Sequence, residues 1–485
     1  MKEHCQKGDI IISVLVFATI AITMTAGLVN WGAALLNSVR VATQREQAFQ
    51  IAEAGVNYYQ WHLAQFPNDF QDGTGHVGPY THQFLDKDGN VIGSYTLTIT
   101  PPLVGSTKVD IVSKGTLLAT SSVSRTVKAT LAVPSLAQYA IVANDNLRFG
   151  SGTNVYGPIK SNYGIHFDGV AYNSVSSALS SYVDPDYGTR QFGVYTQVSP
   201  ADPQPPFAVP SRPDVFKAGR TFPTPSTDFA GLLSNLQQLE TIAIASGSRY
   251  TQSQYRGRAA LGYHVILNTN DTYTLYVVRS LVSAPSNCLN SQAQTQWDTW
   301  SIDTGNNSQS LVGTYAIPAQ GVLFFEDNVW VDGKINTTRL TIAAGKFPQV
   351  VGSEPSITVN SNLLYTNNDG TDVIGLIAQG NINVGLVSAD SLTINAALVA
   401  ENGRVGRYYY GINCKIGGIN YYNRSALNLN GMIATNQRYG FAYTDGTGYI
   451  ARNLSYDANL LYSPPPSFPL ASSQYQMISW KELIN

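Results

Sequence analysis

Ile10-Ile11-Ile12-Ser13-Val14-Leu15-Val16-Phe17-Ala18-Thr19-Ile20-Ala21-Ile22 decides how this chain begins. No charged residue occurs from Ile10 to Val39. With Thr23 to Trp31 the run reaches the roughly 20 apolar residues that a helix needs to cross a bilayer. Its Ser and Thr hydroxyls can return to helix carbonyls, which makes them tolerable in lipid. Lys2 and Lys7 precede the run, a bias that keeps an N-terminus on the cytoplasmic side.

The helical pattern continues past the apolar run. Arg40 to Ala64 is rich in good helix formers. Ala48, Ile51, Ala52, Gly55, Tyr58, Tyr59 and His62 recur at helical spacing. Pro67 is the first clear breaker. A continuous helix from Ile10 to Phe66 would be roughly 85 Å long at about 1.5 Å per residue. Ala48, Ala52 and Gly55 are small, so another element can approach that face closely. A generic signal anchor explains the apolar run alone. A cleaved secretory signal fits less well, because its apolar region is about 7–15 residues and ends at a small-residue cleavage site.

Lys7-Gly8 before the apolar run, and Gln47-Ala48-Phe49-Gln50-Ile51-Ala52-Glu53-Ala54-Gly55 beyond it, resemble type IV pilin-like proteins. The likeness is to the PilX-type and type II secretion minor pilins. The resemblance implies cutting by a prepilin peptidase after Gly8, so that the mature chain starts at Asp9. It implies a helix that serves as membrane anchor and then as assembly element, with Ile10, Ser13, Phe17, Ala48, Ala52, Glu53 and Gly55 along it. The family usually carries Glu at the fifth mature position, where it pairs with a neighbouring subunit's N-terminal amine. Here that position is Ser13, which favours a minor subunit over a self-polymerising one.

Composition agrees with a life outside the cytoplasm. Charged residues are 12% of the chain, about half the usual 25%. The net charge of −2 leaves no electrostatic case for nucleic acid as a partner. Of three cysteines, Cys5 falls in the leader, leaving Cys288 and Cys414. They are candidates for one disulfide; two free buried thiols are the alternative.

After the helix the fold reads as α+β, mainly β. Residues 1–8 form the leader, 9–66 the helix and 67–134 a small antiparallel head. In the head, Ser94–Thr100, Thr107–Ser113 and Val123–Val133 alternate with period 2. Residues 135–197 begin a different texture of very short strands among Asn, Asp and Gly, which returns over 316–485. Ile377-Ala378-Gln379-Gly380, Val399-Ala400-Glu401-Asn402, Ile433-Ala434-Thr435-Asn436 and Val142-Ala143-Asn144-Asp145 look like one imperfect repeat. Such repeats predict a solenoid whose coils stack apolar rows: a right-handed β-helix, with an irregular sandwich as the alternative. Residues 198–315 read as an inserted module. It holds a helix over Thr227–Ala245 and a hairpin of His264–Leu267 and Tyr273–Val278. The tail has a proline-rich run, Ser463–Pro469, then Met477–Lys481, apolar enough to dock. Gly375-Leu376-Ile377-Ala378-Gln379, Asn402 to Tyr410 and Ala434 to Gly446 resemble a group of bacterial proteins in which a PilX-type helix carries a large β-helical domain. That group implies no ligand.

Few residues fall in patterns that carry chemistry. No metal-spaced His pair, phosphate loop, dinucleotide fingerprint or nucleophile elbow occurs, so no metal, cofactor or catalytic residue is expected. Asp86–Asn90 opens like a calcium loop but lacks the distal Glu. Asn367–Asp372 is similar, and both read better as turns. Glu326, Asp327, Asp332 and Glu401 are the carboxylates that a carbohydrate-active β-helix enzyme would draw on. Arg404, Arg407, Tyr408, Tyr409, Tyr410, Arg438 and Tyr439, with Tyr421, Tyr422 and Arg424 nearby, form an aromatic and basic cluster. Aromatic faces with Arg forks suit a surface polysaccharide or a protein. The bland alternative is an inter-coil stack in which the arginines bond loop carbonyls. The sequence therefore points to an inner-membrane-anchored subunit with an extracytoplasmic head. Its expected partners are the membrane, other pilin or pseudopilin subunits, the prepilin peptidase, and a polysaccharide or protein at the cell surface.

Overall fold

The computed structural model describes residues 7–120, 122–229, 235–286 and 288–484. The leader residues 1–6, with Cys5, lie outside them, as do the side chains of Lys7 and Asp9. The chain divides into two compact units. The smaller holds Met1–Pro101, Lys108–Ala132 and Gln474–Asn485; the larger holds Pro102–Thr107 and Val133–Ser473.

The smaller unit is built on one helix, Lys7–Gln65, of 59 residues. Its first half is apolar and unpartnered: Ile10, Phe17 and Trp31 are exposed. The hydroxyls of Thr19, Thr23 and Thr25 bond carbonyls three and four residues back, as a helix in lipid requires. Among the described residues this is one helix long and apolar enough to cross a membrane. From Ala48 onward one face is covered. Ala48, Ile51, Ala52, Val56, Tyr59 and Leu63 are fully buried, at the spacing that puts them on one side of a helix.

Their cover is an antiparallel sheet. Tyr80–Leu85, Val91–Thr100, Val109–Leu117 and Ser124–Ala132 pair in sequence order. The tail strand Gln476–Leu483 adds antiparallel to Ser124–Ala132. Thus the end of the 316–485 segment belongs to the head's sheet, which its sequence texture does not reveal. The third strand is buried at alternate positions, as expected when one face packs and the other meets water. Backbones come very close here. A Cβ on Gly115 would overlap the main chain of Ala48 and Ala52, and one on Gly55 would overlap Ser113 and Tyr95. The small residues of the helix are therefore used inside the chain's own head. Asp86 caps the first hairpin by itself: its Oδ1 accepts the N–H groups of Asp88 at 2.9 Å and Asn90 at 2.8 Å. That is a turn's use of Asp.

The larger unit is a body of parallel ladders. Val322–Phe325 pairs in parallel with Arg339–Ala344, then Val373–Ala378, Ser391–Ala400 and Asn423–Thr435. The ladder does not stop at the chain's late strands. Ile433 to Thr435 pair with Ile141–Ala143, which pairs with Ile159–Ser161 and then Val175–Ser177. The two sequence regions of similar texture thus join end to end in one ladder, the earlier region following the later. A second ladder runs Val329–Lys334, Ile357–Leu364, Ile382–Val384 and Val405–Arg407.

Register explains the apolar repeat. Leu323, Ile342, Leu376, Leu398, Ile433, Ile141, Ile159 and Val175 are successive partners across the first ladder. All are fully buried in one core, each contributing about 1.5–3 kcal/mol of burial. The ladder pairs Ala378, Ala400, Thr435 and Ala143, so the sequence match that used Ile433-Ala434 is off by one residue. At the ladder's edge, Asn162 donates to Asn144 and Asn144 to Asn436, both at 2.9 Å.

Segment 198–315 is joined to these ladders rather than set apart. Gly262–Leu267 pairs in parallel with Val329–Lys334 and antiparallel with Thr272–Val278. The helix there spans Asn235–Ser246. Thr227 is not helical: its N–H bonds Asn162 Oδ1 at 2.7 Å, which fixes it as loop, and Leu232 and Leu233 fall outside the described residues. Leu236, Leu239 and Ala243 bury their face against Phe324, Ala343 and Ile377 on the outer side of the first ladder. Cys288 and Cys414 form a disulfide with Cα atoms 4.6 Å apart.

Candidate ligand cleft

The larger unit carries a cleft of about 900 Å³, lined on one side by the turns that follow its short strands and on the other by the loop from Gln437 to Thr447. Of the sequence cluster, Arg404, Tyr409, Arg438 and Tyr439 line it. Tyr439 lies at its base, only 5% exposed.

The other members of the cluster do not face a ligand. Arg407, Tyr408 and Tyr410 are buried. Arg407 donates to the carbonyls of Gly385, Leu386, Tyr421 and Tyr422 and lies over the rings of Tyr410 and Tyr449. Irregular loops leave carbonyls that need donors, and a guanidinium supplies five. Arg407 is therefore a brace between loops, and its burial lowers its affinity for the proton. Arg452 does the same work at the edge of the cleft, bonding the carbonyls of Tyr449, Ile450, Gly150 and Ser151.

Two residues that no local pattern marks complete the polar wall. Asp186 accepts Arg148 Nη1 at 2.8 Å and Arg438 Nη1 at 2.9 Å and Nη2 at 2.5 Å. The Arg438 bonds above all, and then those from Arg148, hold its carboxyl down at about 2 despite partial burial. Arg148 and Asp186 are 38 residues apart, and Asp186 and Arg438 are 252 apart. Only the ladder order brings them together, so sequence spacing carried no signal. Beside them His166, 1% exposed, lies with Nε2 2.8 Å from Asp168 and Nδ1 3.5 Å from Asp184. His166, Asp184 and Asp186 are close enough to share a cation, but two guanidinium groups already neutralise Asp186.

The opposite wall is aromatic and amide-rich. Tyr409 and Tyr443 meet edge to face with ring centres 5.0 Å apart. Tyr409 donates to Asp445 at 2.7 Å, and Gln294 Nε2 donates to Tyr443 at 2.9 Å. The Asp445 carboxylate also takes the Thr447 N–H and hydroxyl. Arg404 lies over the Tyr408 ring at 4.6 Å. Its Nη2 is buried and has no hydrogen-bond partner among the described residues.

The carboxylates singled out in the sequence are scattered. Glu326 and Asp327 line a second cleft of about 500 Å³ with Trp297 and Trp300. Glu326 is held by Arg249 and Asp327 by the Ser253 N–H and hydroxyl. Asp332 instead pairs with His264 at 3.1 Å and Asn360 at 2.6 Å. Glu401 is buried with no ion-pair partner among the described residues, and desolvation pushes its carboxyl up to about 9. In the 367–372 turn, Asp372 accepts the N–H groups of Thr338, Thr366 and Asn367.

On the long helix, Ile10, Ser13 and Phe17 lie exposed and Glu53 is half-buried, whereas Ala48, Ala52 and Gly55 are covered. No protein-family model matches the chain, and no curated protein matches it. Among solved structures, the crystal structure of the competence-associated pilin ComZ from Thermus thermophilus is similar at 14% identity and a TM-score of 0.30. The likeness covers 91% of this chain and 98% of that one.

Proposed function

We propose that the chain is a minor, pilin-like structural subunit of a type IV pilus or pseudopilus. One observation carries the reading: a single unbroken helix, Lys7–Gln65, is apolar and bare over its first half and covered by an antiparallel sheet over its second. A soluble protein would have to cover that first half, because so large an exposed apolar surface is not stable in water. A bilayer covers it, and neighbouring helices of a fibre cover it again after extraction. Prepilin peptidase cuts after Gly8, and the mature chain starts at Asp9. Ser13 in place of the usual Glu removes the carboxylate that would meet a neighbour's N-terminal amine, which supports a minor position. The larger unit is a right-handed β-helix displayed outside the inner membrane for contact or adhesion, with no catalytic step. Its continuous parallel ladders support this.

Two measurements test the reading. N-terminal mass spectrometry of the membrane-extracted protein is expected to begin at Asp9, and Gly8→Val is expected to leave the leader on. Sheared filaments are expected to contain the chain in small amounts. An intact Met1 would leave an anchored surface protein that enters no fibre.

A further inference from the structure

The cleft between Arg148 and Tyr443 has no assigned ligand, and its chemistry is specific enough to name a class. Its volume of about 900 Å³ is at the upper end of small-ligand cavities. Its lining includes Asp145, Asp186, Asp445, Arg148, Arg404 and Arg438, charged groups whose hydrogen bonds a wholly apolar ligand cannot supply. The groups that line it fall into two sorts. Arg148, Asp186 and Arg438 are locked to one another by charge-assisted hydrogen bonds. Such pairs present fixed edges and cost little ordering when a ligand binds.

The second sort is unmatched. Arg404 lines the cleft, and its Nη2 is buried without a partner among the described residues. A guanidinium at a cleft wall with an N–H left unpaired is a donor that an incoming acceptor can satisfy, most strongly a charged one. Asp145 and Asp445 have the opposite need. Among the described residues their oxygens take neutral donors, the N–H groups of Asn146 and Arg438, the Tyr409 hydroxyl and the Thr447 N–H, and can accept further hydroxyls. A suitable ligand therefore offers many O–H donors and also a negative charge. A phosphodiester chain has the charge but few hydroxyl donors for Asp145 and Asp445. A neutral sugar has the donors but nothing for Arg404. The faces of Tyr409 and Tyr443 add stacking surface for a ring's C–H groups.

We infer that this cleft binds a carboxylate-bearing oligosaccharide, a stretch of a uronic-acid polymer, with Arg404 receiving a carboxylate and Asp145 and Asp445 receiving hydroxyls. The inference rests on the proposed function only in taking the larger unit to face outward. Binding can succeed or fail whatever happens at Gly8.

The test uses the full-length protein in nanodiscs and isothermal titration with two probes of equal length, an oligogalacturonate and a neutral cello-oligosaccharide. The uronide is expected to bind at least tenfold more tightly than the neutral sugar. Arg404→Gln is expected to lower uronide affinity about tenfold and leave the neutral sugar unchanged. Asp145→Asn is expected to weaken both, which separates the hydroxyl contacts from the charge. No binding of either probe by the unaltered protein, or equal binding of both, overturns the inference without recourse to any variant. Uronide binding that survives Arg404→Gln at full strength overturns the role given to Arg404.

Discussion

The two units bury their strands in opposite ways. In the smaller unit, Val109–Leu117 is buried at every other residue. In the larger, Arg339–Ala344 and Val373–Ala378 are buried at every residue. The first pattern follows from a sheet with a helix on one face only. The second follows from a ladder with a core on each side: Ile342 and Leu376 face the inner core, while Ala343 and Ile377 meet the short helix and Phe324 outside. Doubly buried parallel strands need apolar residues at both parities. The same kind of residue thus does different work in the two units. Glycine and alanine let a helix approach a sheet in one, and alanine lets a helix lie on a ladder in the other.

The contrast can be broken most sharply at Gly115. A side chain there meets the backbone of Ala48 and Ala52, which cannot rotate away. Gly115→Val is expected to exceed the roughly 1–3 kcal/mol typical of overpacking and to unfold the smaller unit. Limited proteolysis would read this as early cutting within Tyr80–Ala132 while fragments of Val133–Ser473 persist. Next in size is a deletion in the larger core. Leu376→Ala is expected to cost about 2–5 kcal/mol, seen in urea as a loss in the larger unit's transition with the smaller unit's proteolytic pattern unchanged.

How much of this was legible in the sequence follows the same divide. Antiparallel strands announce themselves by alternation, and neighbours in sequence are neighbours in the sheet, so Val91–Thr100, Val109–Leu117 and Ser124–Ala132 were readable, though the short Tyr80–Leu85 was not singled out. What hid was Gln476–Leu483, because its partner, Ser124–Ala132, is some 350 residues earlier. In the larger unit, continuous apolar runs such as Val373–Ala378 marked strands but not partners. Ile433 pairing with Ile141 is a long-range choice made by stacking. The cleft inherits that difficulty, since Arg148, Asp186 and Arg438 meet only through ladder order. The tyrosine-arginine cluster divides between its two sequence readings: Arg407 and Tyr410 serve loop carbonyls, while Arg404, Tyr409, Arg438 and Tyr439 line the cleft, and an arginine that braces a loop looks in sequence like one that waits for a ligand.

Two smaller effects sharpen the account of the larger unit's irregular side. The disulfide links residues 126 apart in the chain, and closing so long a loop is expected to be worth about 2–4 kcal/mol. Cys288→Ser should lower the melting temperature of the oxidised protein to the value that reductant gives the unaltered one. A lack of response to reductant would show that the bridge constrains little.

Glu401 offers the smallest and most particular effect. Burial holds its carboxyl proton up to about pH 9 in the folded chain, whereas the unfolded chain releases it near 4.3. Between those values the folded state binds the extra proton, so stability falls as pH rises. Its Oε1 has no hydrogen-bond partner among the described residues, so little compensates. Glu401→Gln removes the titration and keeps the shape. The variant is expected to match the unaltered protein at pH 4 and to be more stable by about 1 kcal/mol or more at pH 8, read as a melting-temperature difference that widens steadily between the two. A constant difference across that range would mean that the carboxylate finds water or a cation in the folded state. Glu401 would then belong with the solvated carboxylates of the clefts rather than with the doubly buried ladders it borders.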